Sequence, residues 1–245
     1  MDLVELLKTK EYPGRFLIVG KIQNSIIAVY GVTARSAASK AKRYVFNQTE
    51  NFVTVEASDP QVMAQGDLSL LQYNPVYFFE NGIVIGNGRQ TDEIKNLDRN
   101  TASQILFESL KDETFEQDKY NTPRITGCIV KCDGDIRAAL HIIRADEDNN
   151  VLRDLFEVPL ENGKAKFIST YEGPNIRPTP SFKGGAIDVE VSVDSLENLV
   201  NEIYEALSPK PEKEDVRVSI IGVSLSEDLQ EKKTFIINSV DREVS

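Results

Sequence analysis

Apolar residues along this chain come in short runs broken by turn-forming residues, and most of the runs have strand length. Phe16 to Gly20 is one. Ser25 to Thr33 is another, where Ile26, Ile27, Ala28 and Val29 follow one another without a polar break, as in a strand covered on both faces. Pro75 to Phe79 and Ile83 to Gly86 flank Glu80-Asn81-Gly82, and Asn-Gly between apolar runs predicts a hairpin closed by a type I′ turn. Further strands are expected at Ile125 to Lys131, Ile136 to Ile143, Val151 to Val158, Ala165 to Thr170, Val216 to Ser224 and Thr234 to Asn238.

Helical periodicity is confined to three places. Leu3, Val4, Leu6 and Leu7, with Asp2 and Glu5 among them, predict one or two amphipathic turns. After Asn100, read as an N-cap, Ala102, Ile105, Leu106 and Leu110 share a face. Leu196, Leu199, Val200, Ile203 and Leu207 share another, with Asp194 and Glu197 spaced as a capping box and Pro209 and Pro211 ending the helix. Many strands with few helices predict an α+β fold in which helices cover sheets. Neither a P-loop nor a G-x-G-x-x-G string entering a helix is present. The loop from Ser208 to Asp215 is too short for a domain linker, so one domain is expected over residues 1–245.

Composition narrows the chemistry. With 28 basic and 39 acidic residues the net charge is −11, which disfavours nucleic acid and anionic membrane surfaces as partners and leaves a small molecule. The apolar runs stop short of the ~20 residues needed to span a bilayer. The N-terminal segment lacks the basic start of a secretory signal, so a cytoplasmic location is expected. Cys128 and Cys132, with a single histidine, cannot complete a four-ligand zinc site, and no metal is expected.

One stretch inverts the overall charge. Between Gly31 and Thr49 there is no carboxylate, yet Arg35, Lys40, Lys42 and Arg43 fall there. Arginine forks and lysine point charges suit a phosphate monoester. A solvated basic loop paired with acidic neighbours gives the same composition.

Several unusual strings occur in one order: Tyr12-Pro13-Gly14-Arg15-Phe16-Leu17-Ile18-Val19-Gly20, Thr33-Ala34-Arg35-Ser36, Tyr73-Asn74, and Gly86-Asn87-Gly88 with Thr91-Asp92. Glu116 through Asn121-Thr122-Pro123-Arg124-Ile125 and Ile168-Ser169-Thr170-Tyr171-Glu172 follow. Together they resemble the archaeal-type IMP cyclohydrolase family from Tyr12 to Lys183, whereas residues 186–245 carry no matching string.

The resemblance implies a four-layer αββα sandwich similar to N-terminal-nucleophile hydrolases. A chain beginning Met1-Asp2-Leu3 would use it without an N-terminal nucleophile. It implies dehydrating closure of 5-formamidoimidazole-4-carboxamide ribotide to inosine monophosphate, with no cofactor, in a possible homo-oligomer. Tyr73 and Glu116 match the family's proton-transfer pair: a phenol can donate to the developing oxyanion, and a partly buried carboxylate can be tuned toward neutrality. Arg15 and Arg35 become phosphate or carboxamide contacts, with Lys40 and Arg43 as helpers. Asn74, Asn87, Asn121 and Thr122 offer hydrogen bonds to the heterocycle and ribose, although Asn87-Gly88 is equally a tight-turn signal. Arg124 reads as a ligand contact or as an ion pair with Asp118. Ser169 and Thr170 read as pocket lining or as a polar strand end. Tyr77 and Lys40 stand where the family often has arginine, so the phosphate would be gripped differently. A non-catalytic purine-nucleotide binder and an amide hydrolase on the same scaffold fit the same residues.

Overall fold

The computed structural model describes residues 1–98 and 100–242. In chain order the elements are α1 (Leu3–Lys8), β1 (Arg15–Ile22), β2 (Ser25–Thr33), α2 (Ala37–Lys40), β3 (Lys42–Asn47), β4 (Phe52–Ala57), α3 (Pro60–Met63), α4 (Leu68–Leu71), β5 (Val76–Phe79) and β6 (Gly82–Gly86). A 3₁₀ turn (Arg89–Glu93) leads to α5 (Ala102–Ser109), β7 (Arg124–Cys132), β8 (Asp135–Ala145), β9 (Val151–Glu157), β10 (Lys164–Ser169) and β11 (Ile187–Glu190). Last come α6 (Leu196–Ala206), β12 (Arg217–Ser226), β13 (Lys232–Asn238) and α7 (Ser239–Arg242). The strands form two antiparallel sheets, one ordered β11-β10-β1-β2-β12-β13 and the other β3-β4-β5-β6-β7-β8-β9.

The two-residue period of the strands sorts their side chains into layers. Leu17 and Val19 of β1, with Ala28 and Tyr30 of β2, face the second sheet and meet Ile83, Ile85, Ile125 and Ile129 there. Their neighbours Phe16, Ile18, Ile27 and Val29 face the other way, onto Leu3 and Leu7 of α1 and Leu199, Val200 and Ile203 of α6. On the far side of the second sheet, Val84, Cys128 and Val130 pack on Ala102, Ile105 and Leu106 of α5. Continuous apolar runs are therefore required of the central strands, because both of their faces are covered. The protein is α+β, with helices on both outer faces of two packed sheets.

Several local expectations shift. The hairpin between β5 and β6 forms, but Phe79 pairs with Gly82, so Glu80 and Asn81 make the loop and Gly82 begins the strand. None of these has positive φ, and the expected type I′ turn is absent. Tertiary bonds decide its shape: the Asn81 side chain donates to the Leu97 carbonyl, and the Asn81 carbonyl accepts from Lys131 N–H. The two-residue turn with positive φ at both positions is instead Asp133-Gly134, between β7 and β8. Thr101, not Asn100, caps α5 in a reciprocal box with Gln104. Ser195, not Asp194, caps α6, while Asp194 accepts from the Asn198 side chain.

Two differences matter more. The basic stretch is a loop only in part, since Lys42 to Asn47 is β3, paired along its length with β4, while Lys40 and Arg43 do pair with acidic neighbours. The C-terminal stretch, which matched no string, supplies β12, which lies between β2 and β13 inside the first sheet. Among the described residues no helix is long and apolar enough to cross a membrane.

Candidate active site

Strand parity places Arg15 on the face of β1 that carries Leu17 and Val19, at one end of the inter-sheet space. Gly14 before it has φ +71°, and a Cβ there would lie 2.3 Å from Thr170 Oγ1 and 2.5 Å from Tyr171 Cδ2, so glycine is required. Thr170 Oγ1 in turn accepts the Arg15 backbone N–H at 3.0 Å. The guanidinium donates through Nη2 to both Glu116 carboxylate oxygens, at 2.7 and 2.8 Å. Burial works against the Arg15 charge, but the Glu116 carboxylate outweighs it and holds that pKa well above the ordinary arginine value.

Glu116 lies on no helix or strand, and its position comes from a closed loop. Its N–H donates to the Thr122 carbonyl at 2.9 Å. Inside the loop the Asp118 carboxylate accepts from Tyr120 N–H, Thr122 N–H and the Thr122 hydroxyl. The Thr122 hydroxyl also bonds the Tyr171 hydroxyl at 2.8 Å, tying the loop to the end of β10.

Tyr73 stands just before β5 with its hydroxyl 2.6 Å from that of Tyr30 and 3.1 Å from that of Tyr44. A phenol has one hydrogen and two acceptor sites, and a buried hydroxyl hydrogen needs an acceptor. Each of these bonds can run in either direction, and Tyr73 is the member of the three-phenol cluster that lines the recess. Burial raises the Tyr73 pKa, against the opposing pull of Arg15 and of these two hydrogen bonds.

Arg15, Lys42, Tyr73 and Glu116 share one recess of about 350 Å³, walled by Ser36 and Ser39 near α2, by Asp67 and Leu71, and by Asp118 and Lys119. Lys42 shares the inward face of β3 with Tyr44, and its ammonium lies 5.7 Å from the ring centres of both Tyr44 and Tyr73. Burial pulls its pKa down to about 7, with Arg15 adding to the shift and Glu116 opposing it.

The remaining candidates are distributed elsewhere. Lys40 leaves the recess to bond Glu214 and the Asp215 carbonyl, at 2.7 and 2.6 Å. Arg43 points outward from β3 toward Glu56 and Asp241, as strand alternation demands. Arg35 spends its fork on Asn175, the Ile176 carbonyl and Thr179, with its guanidinium carbon 4.2 Å above the Tyr12 ring. It thus braces one wall, since Tyr12 lines the recess. Of the basic residues expected at the phosphate, Arg15 and Lys42 line the recess, while Arg35, Lys40 and Arg43 do not.

Asn74 donates to Tyr77, which donates to Asp92 at 2.5 Å, in a separate shallow recess on the other side of Tyr73. Buried Asn87 is consumed by the Pro123 carbonyl, the Ile125 N–H and Gln90. Gly88 is not a positive-φ turn: a Cβ there would lie 2.6 Å from Arg124 Nη1, so glycine leaves room for that guanidinium. Arg124 bonds Gln90 and lies 3.9 Å from Glu113, and Asp118 is not its partner. Asn121 sits at the loop tip with φ +47°, bonded to Asn149. Ser169 donates to the Tyr171 carbonyl. Thr122, Ser169 and Thr170 are therefore braces, spent on the backbone and side chains that hold Arg15 and Glu116.

Tyr30 and Tyr44 were not singled out from the sequence, and Lys42 was named only within the basic stretch. The available signal was the alternation Lys42-Arg43-Tyr44, which puts the first and third residues on one strand face. Among the described residues no group of three His, Cys, Asp or Glu side chains converges as a metal site.

A recess with a phenol, an amine and an arginine–carboxylate pair, at the edge between two packed sheets, is a small-molecule site of the enzymatic kind. Comparison with known proteins defines it further. The family described as IMP cyclohydrolase-like protein matches residues 12–228, and the chain belongs to that family. It is 32% identical to the IMP cyclohydrolase of Haloquadratum walsbyi over 191 residues, covering 76% of this chain and 85% of that protein. It is 32% identical to the IMP cyclohydrolase of Methanococcus aeolicus over 171 residues, covering 66% of this chain and 74% of that protein. With the IMP cyclohydrolase of Methanopyrus kandleri the identity is 35% over 120 residues, 47% of this chain and 57% of that protein.

Proposed function

We propose that this protein is an IMP cyclohydrolase, closing 5-formamidoimidazole-4-carboxamide ribotide to inosine monophosphate with loss of water. The observation that carries the reading is the shared recess: Tyr73 and the Arg15–Glu116 pair line one cavity. Nucleophile and electrophile belong to one molecule, so holding the carboxamide against the formyl group removes much of the barrier. Tyr73 donates to the formyl oxygen as it gains negative charge. Glu116, with both oxygens turned to Arg15, keeps acceptor capacity for the carboxamide N–H and aligns that nitrogen. Arg15 Nη1, not used on Glu116, is available to the substrate. Lys119 at the mouth, with the Ser36 and Ser39 hydroxyls, is our choice for the phosphate end.

The scaffold is, in our reading, that of N-terminal-nucleophile hydrolases, with the chemistry carried by Tyr73 and Glu116 instead of a terminal residue. Because β12 completes the first sheet, residues 186–245 are taken as part of the same domain. A spectrophotometric cyclisation assay on the purified protein is the test. Conversion of the formylated ribotide to inosine monophosphate supports the reading. Saturable binding without conversion would return the protein to the class of nucleotide binders.

A further inference from the structure

Resting on that reading, we infer that Lys42 is the proton carrier of the site, taking hydrogens from two substrate nitrogens and delivering them to the oxygen that leaves as water. Lys42 is 4% exposed and lines the recess, and its ammonium, which the recess reaches, makes no hydrogen bond or ion pair with any described residue. An ammonium drawn this far out of water without a protein partner is costly, so the position is one for an amine that trades its proton with a ligand. The groups facing it are Arg15 from β1, Glu116 from the closed loop, Tyr73 before β5 and Tyr44 from its own strand, with Asp67, Asp118 and Lys119 at the rim.

The other groups have assigned tasks. Both Glu116 oxygens accept from Arg15 and keep their remaining lone pairs for the carboxamide N–H, Asp118 closes its own loop, and Asp67 caps α4 through Ser69 N–H. Tyr73 bonds its two phenol neighbours and is assigned to the formyl oxygen. Lys119 is exposed at the mouth. That leaves Lys42 as the buried group free to exchange a proton, and its pKa of about 7 suits both halves of the task.

The atoms balance with one carrier. Cyclisation forms a bond from the carboxamide nitrogen to the formyl carbon. Lys42, as the amine, takes one proton from that nitrogen and passes it to the formyl oxygen, which becomes a hydroxyl. It then takes the proton of the formamido nitrogen as the C=N bond forms and gives it to the hydroxyl, which departs as water. Two protons leave nitrogen, both end on oxygen, and Lys42 returns to its starting state.

The experiment compares wild type with Lys42→Met and Lys42→Ala in the cyclisation assay over about pH 5.5 to 9. The wild-type kcat is expected to rise with pH along a limb near neutrality. Lys42→Met should lose ~10²-fold or more in kcat with KM changed less than about threefold, and added small primary amines should restore part of the Lys42→Ala turnover. A Lys42→Met variant that keeps kcat and loses only KM overturns the proposal, making Lys42 an anion-binding residue while the cyclohydrolase reading stands. A wild type that never cyclises defeats both.

Should the variants not fold, the wild-type protein is labelled near pH 7 with an amine-reactive reagent. Lys42 should then react ahead of exposed lysines such as Lys8, with parallel loss of turnover and protection by inosine monophosphate. Turnover that survives Lys42 labelling, or Lys42 reacting no faster than Lys8, overturns the proposal.

Discussion

The inter-sheet space and the layer between the second sheet and α5 are built partly by the same strands, β6, β7 and β8, yet they treat buried nitrogen differently. At the end of the inter-sheet space Lys42 is surrounded by Arg15, Glu116, Tyr44 and Tyr73 and opens onto a recess. In the α5 layer the buried imidazole is His141, 2% exposed, paired across the sheet with Thr126 and Leu155 and with no hydrogen-bond partner for Nδ1 among the described residues. Burial depresses both pKa values, to about 7 for Lys42 and about 4 for His141. What separates them is access. A depressed pKa facing a cavity is available to a ligand, whereas the same shift under a helix is felt only as stability.

The largest effect should come from removing Arg15. Arg15→Met leaves the buried Glu116 carboxylate without its cation, at a cost of about 3–5 kcal/mol in unfolding free energy together with loss of turnover. Arg15→Met combined with Glu116→Gln should recover most of that stability and none of the activity. In the α5 layer, Leu106→Ala should cost about 2–5 kcal/mol while the folded fraction keeps its kcat. Urea unfolding and steady-state kinetics on the same samples separate the two regions. A Leu106→Ala enzyme with strongly reduced kcat would break the contrast.

The phenols sharpen it further. Tyr73→Phe removes the hydroxyl at the recess and should lower kcat ~10²-fold, about 2.7 kcal/mol of transition-state stabilisation. Tyr44→Phe takes one hydrogen-bond partner from Tyr73 but leaves its hydroxyl, so its loss should be about 10-fold or less, appearing in kcat more than in KM. Equal losses in the two variants would contradict the donor role of Tyr73.

Central strands were legible in the sequence because both of their faces are covered: β1 and β2 could be read from unbroken apolar runs. The hairpin of β3 and β4 was not, because Lys42 and Arg43 interrupt the apolar pattern and a charged pair reads as a loop. Arg15, Tyr73 and Glu116 were visible through the strings they belong to. Tyr30 and Tyr44 were hidden, and Lys42 was visible only as one of a basic run. What sets them apart is that Lys42 and Tyr44 share the inward face of β3, fixed by pairing with β4, while Tyr30 of β2 meets Tyr44 through the hydroxyl of Tyr73. Asn87, Ser169 and Thr170 stayed open between two readings for a related reason. An amide or hydroxyl looks the same in sequence whether its partner is a ligand or a backbone carbonyl, and here the backbone holds them.

The smallest effect belongs to His141. Burial is the first cause of its lowered pKa, the Arg153 guanidinium adds to it, and Asp154 opposes it. The folded state therefore binds the proton less readily than the unfolded chain, whose histidine titrates near the ordinary 6.5. The stabilisation this gives is complete above about pH 6.5 and declines as pH falls toward about 4. By about pH 5.5 the loss should reach about 1 kcal/mol. His141→Gln removes the titration, so the difference in urea midpoint between wild type and variant should narrow or reverse from pH 7.5 to about 5.5, with kcat following the same pH limb in both. A pH-independent difference would mean that His141 finds a proton acceptor in the fold, and the α5 layer would then tolerate buried charge as the recess does.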